Sequence, residues 1–445
     1  MNKLFLPCLG LCLLGVTAQA QYVSQPINFA PDTYPFYLDA VDANTAWIVG
    51  NGFLVNSYAP PQVARTVDAG QTWTVTNLPV NTVDEEDFTA LSVVSATTAW
   101  ATTANLGAGG RILRTTDGGQ NWTPQNSTTV YGNANSYPDM IHFFSATDGV
   151  TVGDAIGSSG PMEMYTTTNG GTTWTPVATP PAAQAQEYPL GTPPAAFGNH
   201  IWFATTTGRV FHSINKGLSW TVATVPSGSL SISTLVFRDA QNGLLSVLDQ
   251  AGTAHQLYRT TDGGATWAAV TYTGPLHGIG LSTVPGSAQY VSTGFDTDAG
   301  SSYSRDNGQT WVSIETTSNN FVTEFVSTTV GWSSALLVSG NKLLPGANRY
   351  SGSTLATRTD AALQASLTVV PNPALGGRFS LRANRSPAAT PATVRVLDAT
   401  GRLVQQLPWP NTPGLDLDLS REPAGLYLLE VQGATGTARQ KVVVQ

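Results

Sequence analysis

Cysteine is almost absent from this chain of 445 residues, and its two copies, Cys8 and Cys12, both fall within the first twenty. We interpret residues 1–20 as a signal peptide, because Lys3 precedes an apolar core that ends in small residues suited to cleavage. The segment is too short for a membrane span. The mature chain then has no cysteine, which excludes a disulfide, a zinc–thiolate site and a cysteine nucleophile.

Basic residues are also scarce. Residues 22–350 carry 22 acidic and 10 basic side chains, a net charge of −12, whereas residues 351–445 carry 6 acidic and 9 basic side chains. An acidic surface repels phosphate backbones at long range. Since the chain has no basic stripe and no base-reading motif, the sequence predicts no nucleic acid partner.

Motifs of known chemistry are missing as well. The chain contains no His-Glu-x-x-His metal site, no Gly-x-Ser-x-Gly elbow and no phosphate loop. The segment Asp296-Thr-Asp298 lacks the further acidic ligands of a calcium loop, so we interpret it as a turn. The sequence therefore predicts no cofactor and no metal, and it identifies no catalytic residue.

One phrase is present six times: Ser/Thr, any residue, Asp/Asn, any residue, Gly, any residue, Thr/Ser/Asn, Trp. Its acidic or amide positions are Asp68, Asp117, Asn169, Asn215, Asp262 and Asp306. Its tryptophans are Trp73, Trp122, Trp174, Trp220, Trp267 and Trp311, spaced 44 to 52 residues apart. Self-similarity at this period indicates an array of supersecondary units.

The phrase is typical of a turn that leads into a strand. The Asp or Asn side chain should accept hydrogen bonds from backbone N–H groups about two residues on, and the glycine should take a positive φ. The tryptophan should bury its ring between neighbouring hairpins. We therefore expect these residues to be structural.

Short β-branched and aromatic runs between the phrases predict four strands per repeat, which is the period of a propeller blade. A seventh unit, residues 321–350, lacks the phrase and a fourth strand. The segment 22–27 resembles the fourth strands elsewhere and would close the ring, which removes exposed edge strands. The sequence therefore predicts an all-β fold: a seven-bladed β-propeller over residues 21–350, followed by a small β-sandwich.

The phrase resembles the Asp-box, or BNR repeat, of sialidases and of photosystem II assembly-factor-like propellers. Residues 141–154 and 208–213 also look like blades of the latter family, and the resemblance covers residues 36–345. It implies a non-catalytic docking scaffold with the boxes away from the ligand face. The arginine-rich surface of the photosynthetic members has no match in this acidic ring, so the resemblance implies the fold and not a photosystem role.

Residues 367–445 predict the β-sandwich, because alternating apolar strands are separated by turn residues. Pro371-Asn372-Pro373 at its start and Gly425-Leu426-Tyr427 near its end resemble the type A sorting domain of type IX secretion. The resemblance implies passage through the periplasm to the outer-membrane surface or the medium, with the secretion machinery as a partner. We interpret residues 351–366 as a linker, and we expect a monomer.

Candidate ligand contacts lie on the loops that join fourth to first strands and second to third strands. Loops 124–139 and 178–196 are the longest, and loops of this length are often functional or disordered. They supply Tyr131, Tyr137, Asp139, Glu187 and Tyr188, while loop 154–162 adds Asp154 and loop 51–62 adds Tyr58. Arg111 and Arg209, which open third strands, are further candidate ligand contacts. Tyrosine and amide side chains suit contacts with sugars or peptides. Loop 180–194 is equally compatible with a mobile Ala/Pro insertion, and we expect His142 and His212 to be packed side chains.

Two functions remain open from the sequence. A sialidase would need three converging arginines, and only Arg111 and Arg209 occupy matching positions, each opening a third strand after a glycine. Our first hypothesis is therefore a secreted or cell-surface propeller that binds a polysaccharide or a protein without catalysis. The alternative is a glycosidase-like enzyme that uses an acidic pair on the propeller face, drawn from residues 84–87, Asp139, Asp154 and Glu187.

Overall fold

A computed structural model of the chain describes most residues beyond the first twenty. These are residues 21–30, 33–52, 60–80, 86–105, 107–125, 129–157, 160–226, 231–248, 255–339, 342–352, 354–355, 361–383, 393–398, 403–409, 412, 414–432 and 437–445. The expected signal peptide, Tyr58, Asp84 and Glu85 lie outside them. The chain forms two compact units, which divide between Leu355 and Ala356.

The strands described in the first unit form seven four-stranded antiparallel sheets, so the prediction of a seven-bladed propeller is confirmed. Strand β1 (Tyr22–Pro26) opens the unit. Blade 1 contains β2 (Thr33–Ala40), β3 (Ala46–Gly52), β4 (Gln62–Thr66) and β5 (Thr74–Asn77). Blade 2 contains β6 (Asp87–Val93), β7 (Ala99–Asn105), β8 (Gly109–Thr115) and β9 (Thr123–Pro124). Blade 3 contains β10 (Pro138–Phe143), β11 (Gly149–Ala155), β12 (Met162–Thr167) and β13 (Thr175–Pro176).

The remaining blades repeat the order. Blade 4 contains β14 (Ala195–Phe197), β15 (His200–Ala204), β16 (Arg209–Ser213) and β17 (Thr221–Thr224). Blade 5 contains β18 (Ser231–Phe237), β19 (Gly243–Leu248), β20 (His255–Thr260) and β21 (Ala268–Val270). Blade 6 contains β22 (Gly280–Thr283), β23 (Tyr290–Gly294), a 3₁₀ turn (Asp296–Asp298), β24 (Gly300–Ser304) and β25 (Val312–Glu315). Blade 7 contains β26 (Asn320–Ser327), β27 (Val330–Ser339) and β28 (Lys342–Tyr350).

Blade 7 is completed by the first strand of the chain, as expected. Strand β1 pairs antiparallel with β28, from Tyr22 opposite Tyr350 to Pro26 opposite Gly346. Pairing the two ends of the unit leaves no unpaired strand at the point of closure.

The six box turns share one hydrogen-bonding pattern, shown here for the first. Asp68 Oδ1 accepts a hydrogen bond from the Thr72 N–H at 2.9 Å, and Thr66 Oγ accepts one from the Gly70 N–H at 2.9 Å. The acceptor side chain thus bonds to the residue four positions on, rather than about two as expected. Gly70 has a φ of 82°, in the region that favours glycine.

Tryptophans pack between the blades at two levels. Those of the second strands are wholly buried, and the Trp100 and Trp202 indoles each donate a hydrogen bond to a box-turn carbonyl of the next blade. Of the box tryptophans, Trp122, Trp174, Trp267 and Trp311 are buried. Trp73 and Trp220, in blades 1 and 4, are half-buried and pack against the core from its edge.

The second unit is a small sandwich of two sheets around its own apolar core. Its elements are α1 (Ala361–Ser366), β29 (Leu367–Val370), a 3₁₀ turn (Leu375–Gly377), β30 (Arg378–Ala383), β31 (Thr393–Leu397), β32 (Leu403–Pro408), β33 (Gly414–Asp418), β34 (Gly425–Gln432) and β35 (Thr437–Val444). Helix α1 falls within the expected linker. Its Leu363 side chain is buried in this core, so the helix packs as part of the second unit. In the described part of the chain, no helix is long and apolar enough to cross a membrane.

Candidate functional site

The first strands of the blades surround a cavity of about 300 Å³, so they form the inner wall of the ring. Because neighbouring strands are antiparallel, the connections from fourth to first strands and from second to third strands share one end of the ring. We call this end the loop face and the opposite end the box face. The predicted ligand contacts should lie on the loop face.

Blade 3 brings four of the predicted residues into one cluster. Asp139 lies on β10 at a bulge between Pro138 and Met140, and Asp154 lies at the end of the adjacent strand β11. The two carboxyl groups are within hydrogen-bonding distance of each other, and the Asp154 N–H donates a hydrogen bond to the Tyr137 carbonyl at 2.9 Å. Tyr131 is 1% exposed and shares a hydrogen bond of 3.0 Å with Thr151. It is therefore packed inside the blade and does not face a ligand.

The cluster is acidic and only partly open to solvent. Asp139 is 8% exposed, while Asp154 and Tyr137 are half-buried. Burial and the Asp154 charge raise the pKa of Asp139 well above its usual value, and burial also raises the pKa of Asp154. Two carboxyl groups this close do not both ionise readily, so the pair keeps a proton to a higher pH than an isolated carboxyl would.

Arg209 and Glu187 pair with each other rather than face a ligand. Arg209 Nη1 lies 2.9 Å from Glu187 Oε2, and the Glu187 side chain is fully buried. Thr205 and Thr207 donate hydrogen bonds to the other carboxylate oxygen at 2.6 and 2.8 Å. The expectation that Glu187 and Arg209 bind a ligand is therefore corrected, because both charges are satisfied inside blade 4.

Arg111 forms the equivalent pair in blade 2. Its Nε and Nη2 atoms donate hydrogen bonds to the two carboxylate oxygens of Glu86, each at 2.6 Å. Glu86 is 3% exposed and also accepts a hydrogen bond from Thr103. A bidentate pair of this kind holds both groups in place. The Arg111 side chain is nevertheless 36% exposed, so its role as a ligand contact stays a prediction.

Hydrogen bonds to neighbouring strands and loops hold the long loop 178–196 in place. Ala183 N–H donates to the Gly160 carbonyl at 3.1 Å, and Leu190 N–H donates to the Ala204 carbonyl at 2.9 Å. Glu187 Oε2 also accepts from the Gln184 N–H at 2.7 Å. The interpretation as a mobile insertion is therefore not supported, and the loop presents Tyr188, 47% exposed, on the loop face.

The cavity contains acidic groups that sequence reasoning missed. Glu324 Oε2 accepts a hydrogen bond from the Ala40 N–H at 2.8 Å, and Asp39 Oδ2 accepts one from the Val93 N–H at 2.8 Å. Each carboxyl thus joins its own blade to the next. Burial raises the pKa of both groups, and for Glu324 the Asp39 charge adds to the effect.

Asp39 and Glu324 occupy equivalent positions near the box face, and Ser92 takes the same position in blade 2. Asp39 is opposite Trp47, Ser92 is opposite Trp100 and Glu324 is opposite Trp332. His142 takes the corresponding place in blade 3 and also lines the cavity; burial lowers its pKa to about 4. A polar residue just before the end of several first strands was the sequence signal that could have identified this layer.

The remaining histidines lie in blades 4 to 6. His212 is packed, as expected, in a stack with Trp202 and His200. His277 Nδ1 lies 2.9 Å from Asp298 Oδ1, and Asp298 Oδ2 accepts from the Gly278 N–H at 3.1 Å. Asp298 therefore fastens a loop, which agrees with its interpretation as part of a turn.

Comparison with known proteins agrees with both units. Residues 144–352 match the family model described as the DUF6242 beta propeller domain, and residues 368–445 match the model described as the secretion system C-terminal sorting domain. The sorting domain marks the protein for export by type IX secretion, to the cell surface or the medium, and implies interaction with that machinery. No curated protein matches the chain.

Two solved structures share the propeller architecture. One, described as YCF48 bound to D1 peptide, is 16% identical, with 75% of this chain and 98% of that chain covered at a TM-score of 0.52. The other, described as the structure of U3-55K, is 8% identical, with 74% and 98% covered at a TM-score of 0.51. At these identities the likeness establishes the fold alone.

Proposed function

We propose that this exported propeller is a non-catalytic binding protein that holds a polysaccharide or a protein on its loop face, beside blades 3 and 4. The observation that carries the proposal is the contrast on that face between fastened loops and an unsatisfied site. Buried ion pairs hold the loops of blades 2 and 4 in place, while carboxyl oxygens of blade 3 lack partners. Loops fixed before binding lose little conformational entropy when a ligand docks.

The neighbouring fold supports binding of a protein segment in particular. A propeller of the same architecture is described in complex with a D1 peptide, so a ring of this kind is compatible with a peptide ligand. Tyr188 and the half-buried Tyr137 add aromatic surface with a polar end, which suits peptides and sugars alike.

The alternative is a glycosidase-like enzyme that uses the Asp139–Asp154 pair. Glycosidases hold their two carboxyl groups roughly 5–10 Å apart, so that the sugar or a water fits between them. The carboxyl groups of Asp139 and Asp154 are close enough to share a hydrogen bond. This spacing disfavours the enzyme for this pair.

The test is to apply the full secreted chain to a glycan array and to a peptide array, followed by analysis of the bound sugars for cleavage. Selective binding of an intact ligand supports the proposal. Release of shortened sugars, lost in Asp154→Asn, would establish the enzyme instead. Absence of selective binding on both arrays contradicts a binding role for the loop face.

A further inference from the structure

Blade 3 differs from its neighbours at one equivalent position in the third strand. In β7 and β8, Thr103 is opposite Arg111, and in β11 and β12, Gly153 is opposite Glu163. In blade 4, the Thr205 N–H donates to the carbonyl of Arg209 in the same way. Blade 3 therefore has a glutamate where blades 2 and 4 have the arginine of their buried ion pairs.

The acid partner of that arginine is replaced as well. Phe88 is opposite Thr103 and Pro138 is opposite Gly153, so Ser136 corresponds to Glu86. Ser136 is 2% exposed, and its hydroxyl has no hydrogen-bond partner. An ion pair in blade 2 thus becomes a serine and a glutamate in blade 3, with two further acids, Asp139 and Asp154, beside them.

No cation within the described residues compensates these acids. None of the ion pairs found there involves Asp139, Asp154 or Glu163. Apart from the contact between Asp139 and Asp154 themselves, no described residue donates a hydrogen bond to one buried oxygen of each carboxyl: Asp139 Oδ2, Asp154 Oδ1 and Glu163 Oε2. Buried polar atoms without partners are rare in folded proteins and indicate a bound water, ion or ligand group.

We propose that the blade-3 acidic site, made of Ser136, Asp139, Asp154 and Glu163, receives a cationic side chain, arginine or lysine, from a protein ligand. The ligand cation takes the role that Arg111 and Arg209 have in the adjacent blades. This inference rests on the proposed binding function and names the chemistry of its ligand. The Tyr137 carbonyl accepts a hydrogen bond from the Asp154 N–H at 2.9 Å, so this tyrosine is next to Asp154 in the fold.

The depth of the site favours a protein side chain over other cations. Asp139 is buried and Asp154 is half-buried, so a long flexible chain that ends in a charge can reach the pair, whereas the amino group of an amino sugar is attached directly to its ring. Among the described residues no three acidic, histidine or cysteine side chains group closely enough to hold a metal ion. A guanidinium carries five N–H donors in a wide fork, so it can bond to carboxyl groups that are further apart.

Binding should release a proton. The pKa of both Asp139 and Asp154 is raised in the free protein, which favours the protonated pair, whereas an arriving cation stabilises the doubly ionised pair. The proton leaves to solvent as the charge-assisted hydrogen bonds form. The other titratable groups that act on the two acids or on the tyrosines beside them are Asp87, Tyr131, Tyr137, Glu163 and Tyr165.

The experiment is calorimetric titration of the full secreted chain with two blocked peptides, Gly-Gly-Arg-Gly-Gly and its citrulline counterpart. Citrulline has the shape of arginine without its charge. We expect the arginine peptide to bind at least about tenfold more tightly, as charge-assisted hydrogen bonds require. Its heat of binding should differ between buffers of different ionisation enthalpy, because a proton is released.

Three variants locate the effect. Asp154→Asn should remove the preference for arginine. Asp68→Asn removes the same charge at a box turn where Asn169 and Asn215 occur naturally, and it should bind as the wild type does. Glu163→Arg restores the arginine of blades 2 and 4, so it should bind neither peptide and should unfold at a higher temperature than the wild type. A gain of stability in this variant excludes misfolding as the cause of lost binding.

Equal binding of the arginine and citrulline peptides, or no detectable binding of either, overturns the inference. So does wild-type binding by Asp154→Asn. Binding of a glucosamine oligomer instead of the arginine peptide overturns the protein source of the cation. If Asp154→Asn still binds a ligand from the arrays, the proposed function stands and this inference alone fails.

Discussion

Blades 2 and 4 compensate their buried acids with arginine, whereas blade 3, which lies between them, does not. Glu86 and Glu187 each bond to an arginine and a threonine of their own blade. Asp139 and Asp154 instead have each other, and a glutamate fills the arginine position. Blades of the same fold and strand register thus contain either a buried ion pair, as in blades 2 and 4, or a cluster of acids without a cation, as in blade 3. The blade fold alone therefore does not determine the charge of the loop face.

Breaking a compensated pair should give the largest effect. Arg209→Ala leaves Glu187 buried without its partner, which should lower the free energy of unfolding by about 3–5 kcal/mol. The measurement is denaturant unfolding followed by tryptophan fluorescence. Lys216→Ala is the matched control, because its ion pair with Asp148 is half-exposed and should contribute less than about 1 kcal/mol. Equal losses in the two variants would contradict the comparison.

The uncompensated acids of the cavity should make stability depend on pH. The folded pKa of Asp39 is raised to about 7 and that of Glu324 to about 8, so the folded protein holds protons that the unfolded chain has lost. Their stabilising contribution is complete below pH 4 and disappears as the pH rises through 7 and 8. His142, with a pKa lowered to about 4, acts in the opposite sense only below its unfolded value.

We therefore expect the melting temperature to fall between pH 6.5 and 8.5, on the order of 5 °C. The double variant Asp39→Asn/Glu324→Gln should lose most of this fall, which scanning calorimetry at several pH values will measure. A fall of the same size in the variant would assign it to other groups, Asp139 and Asp154 first.

In blade 3 we expect a smaller change in stability, and a gain rather than the loss expected for Arg209→Ala. Asp139→Asn keeps the shape of the side chain but removes a group that is costly to ionise, so it should raise the melting temperature at pH 8 by roughly 3 °C. At pH 4 the difference should nearly vanish, because the wild-type carboxyl is then protonated. A loss of stability at pH 8 would mean that the pair is compensated after all.

The smallest effect is expected at a box turn. Asp68 is partly exposed, and Asn occupies the same place in blades 3 and 4, where it accepts equivalent hydrogen bonds. Asp68→Asn should leave the melting temperature at pH 7 unchanged within error. A difference between the variant and the wild type should appear only in strong acid, where the wild-type carboxyl becomes protonated, because hydrogen bonds from Thr72 lower the pKa of Asp68 to about 2.

Much of the fold followed from local pattern. The recurring phrase predicted six turns, and the unpaired segment at the start of the mature chain predicted the closure of blade 7. Both are local signals, since a turn needs only a glycine at positive φ and an acceptor side chain nearby. The count of seven blades and the sandwich were likewise readable, whereas the helix within residues 361–366 was missed because six residues give too weak a pattern.

The candidate site was readable only in part. Asp139, Asp154 and Tyr137 were expected on one face and do meet there. Arg111, Arg209 and Glu187 were expected beside them, but their charges are used in pairs. The pairing of Arg111 with Glu86 joins residues from different strands, and no periodicity in the sequence indicates which acid will lie opposite which arginine. The cavity acids Asp39 and Glu324 are separated by most of the propeller in sequence. Their approach to each other could not be predicted for the same reason.

The sequence by itself determined the repeat, the turn chemistry, the sorting domain and the acidic balance of the propeller, because each depends on residues close together in the chain or on composition alone. Only the tertiary structure decided which charges are compensated and which are left open. That distinction depends on the register between strands and on burial, which together set whether a carboxyl meets an arginine, another carboxyl or the solvent.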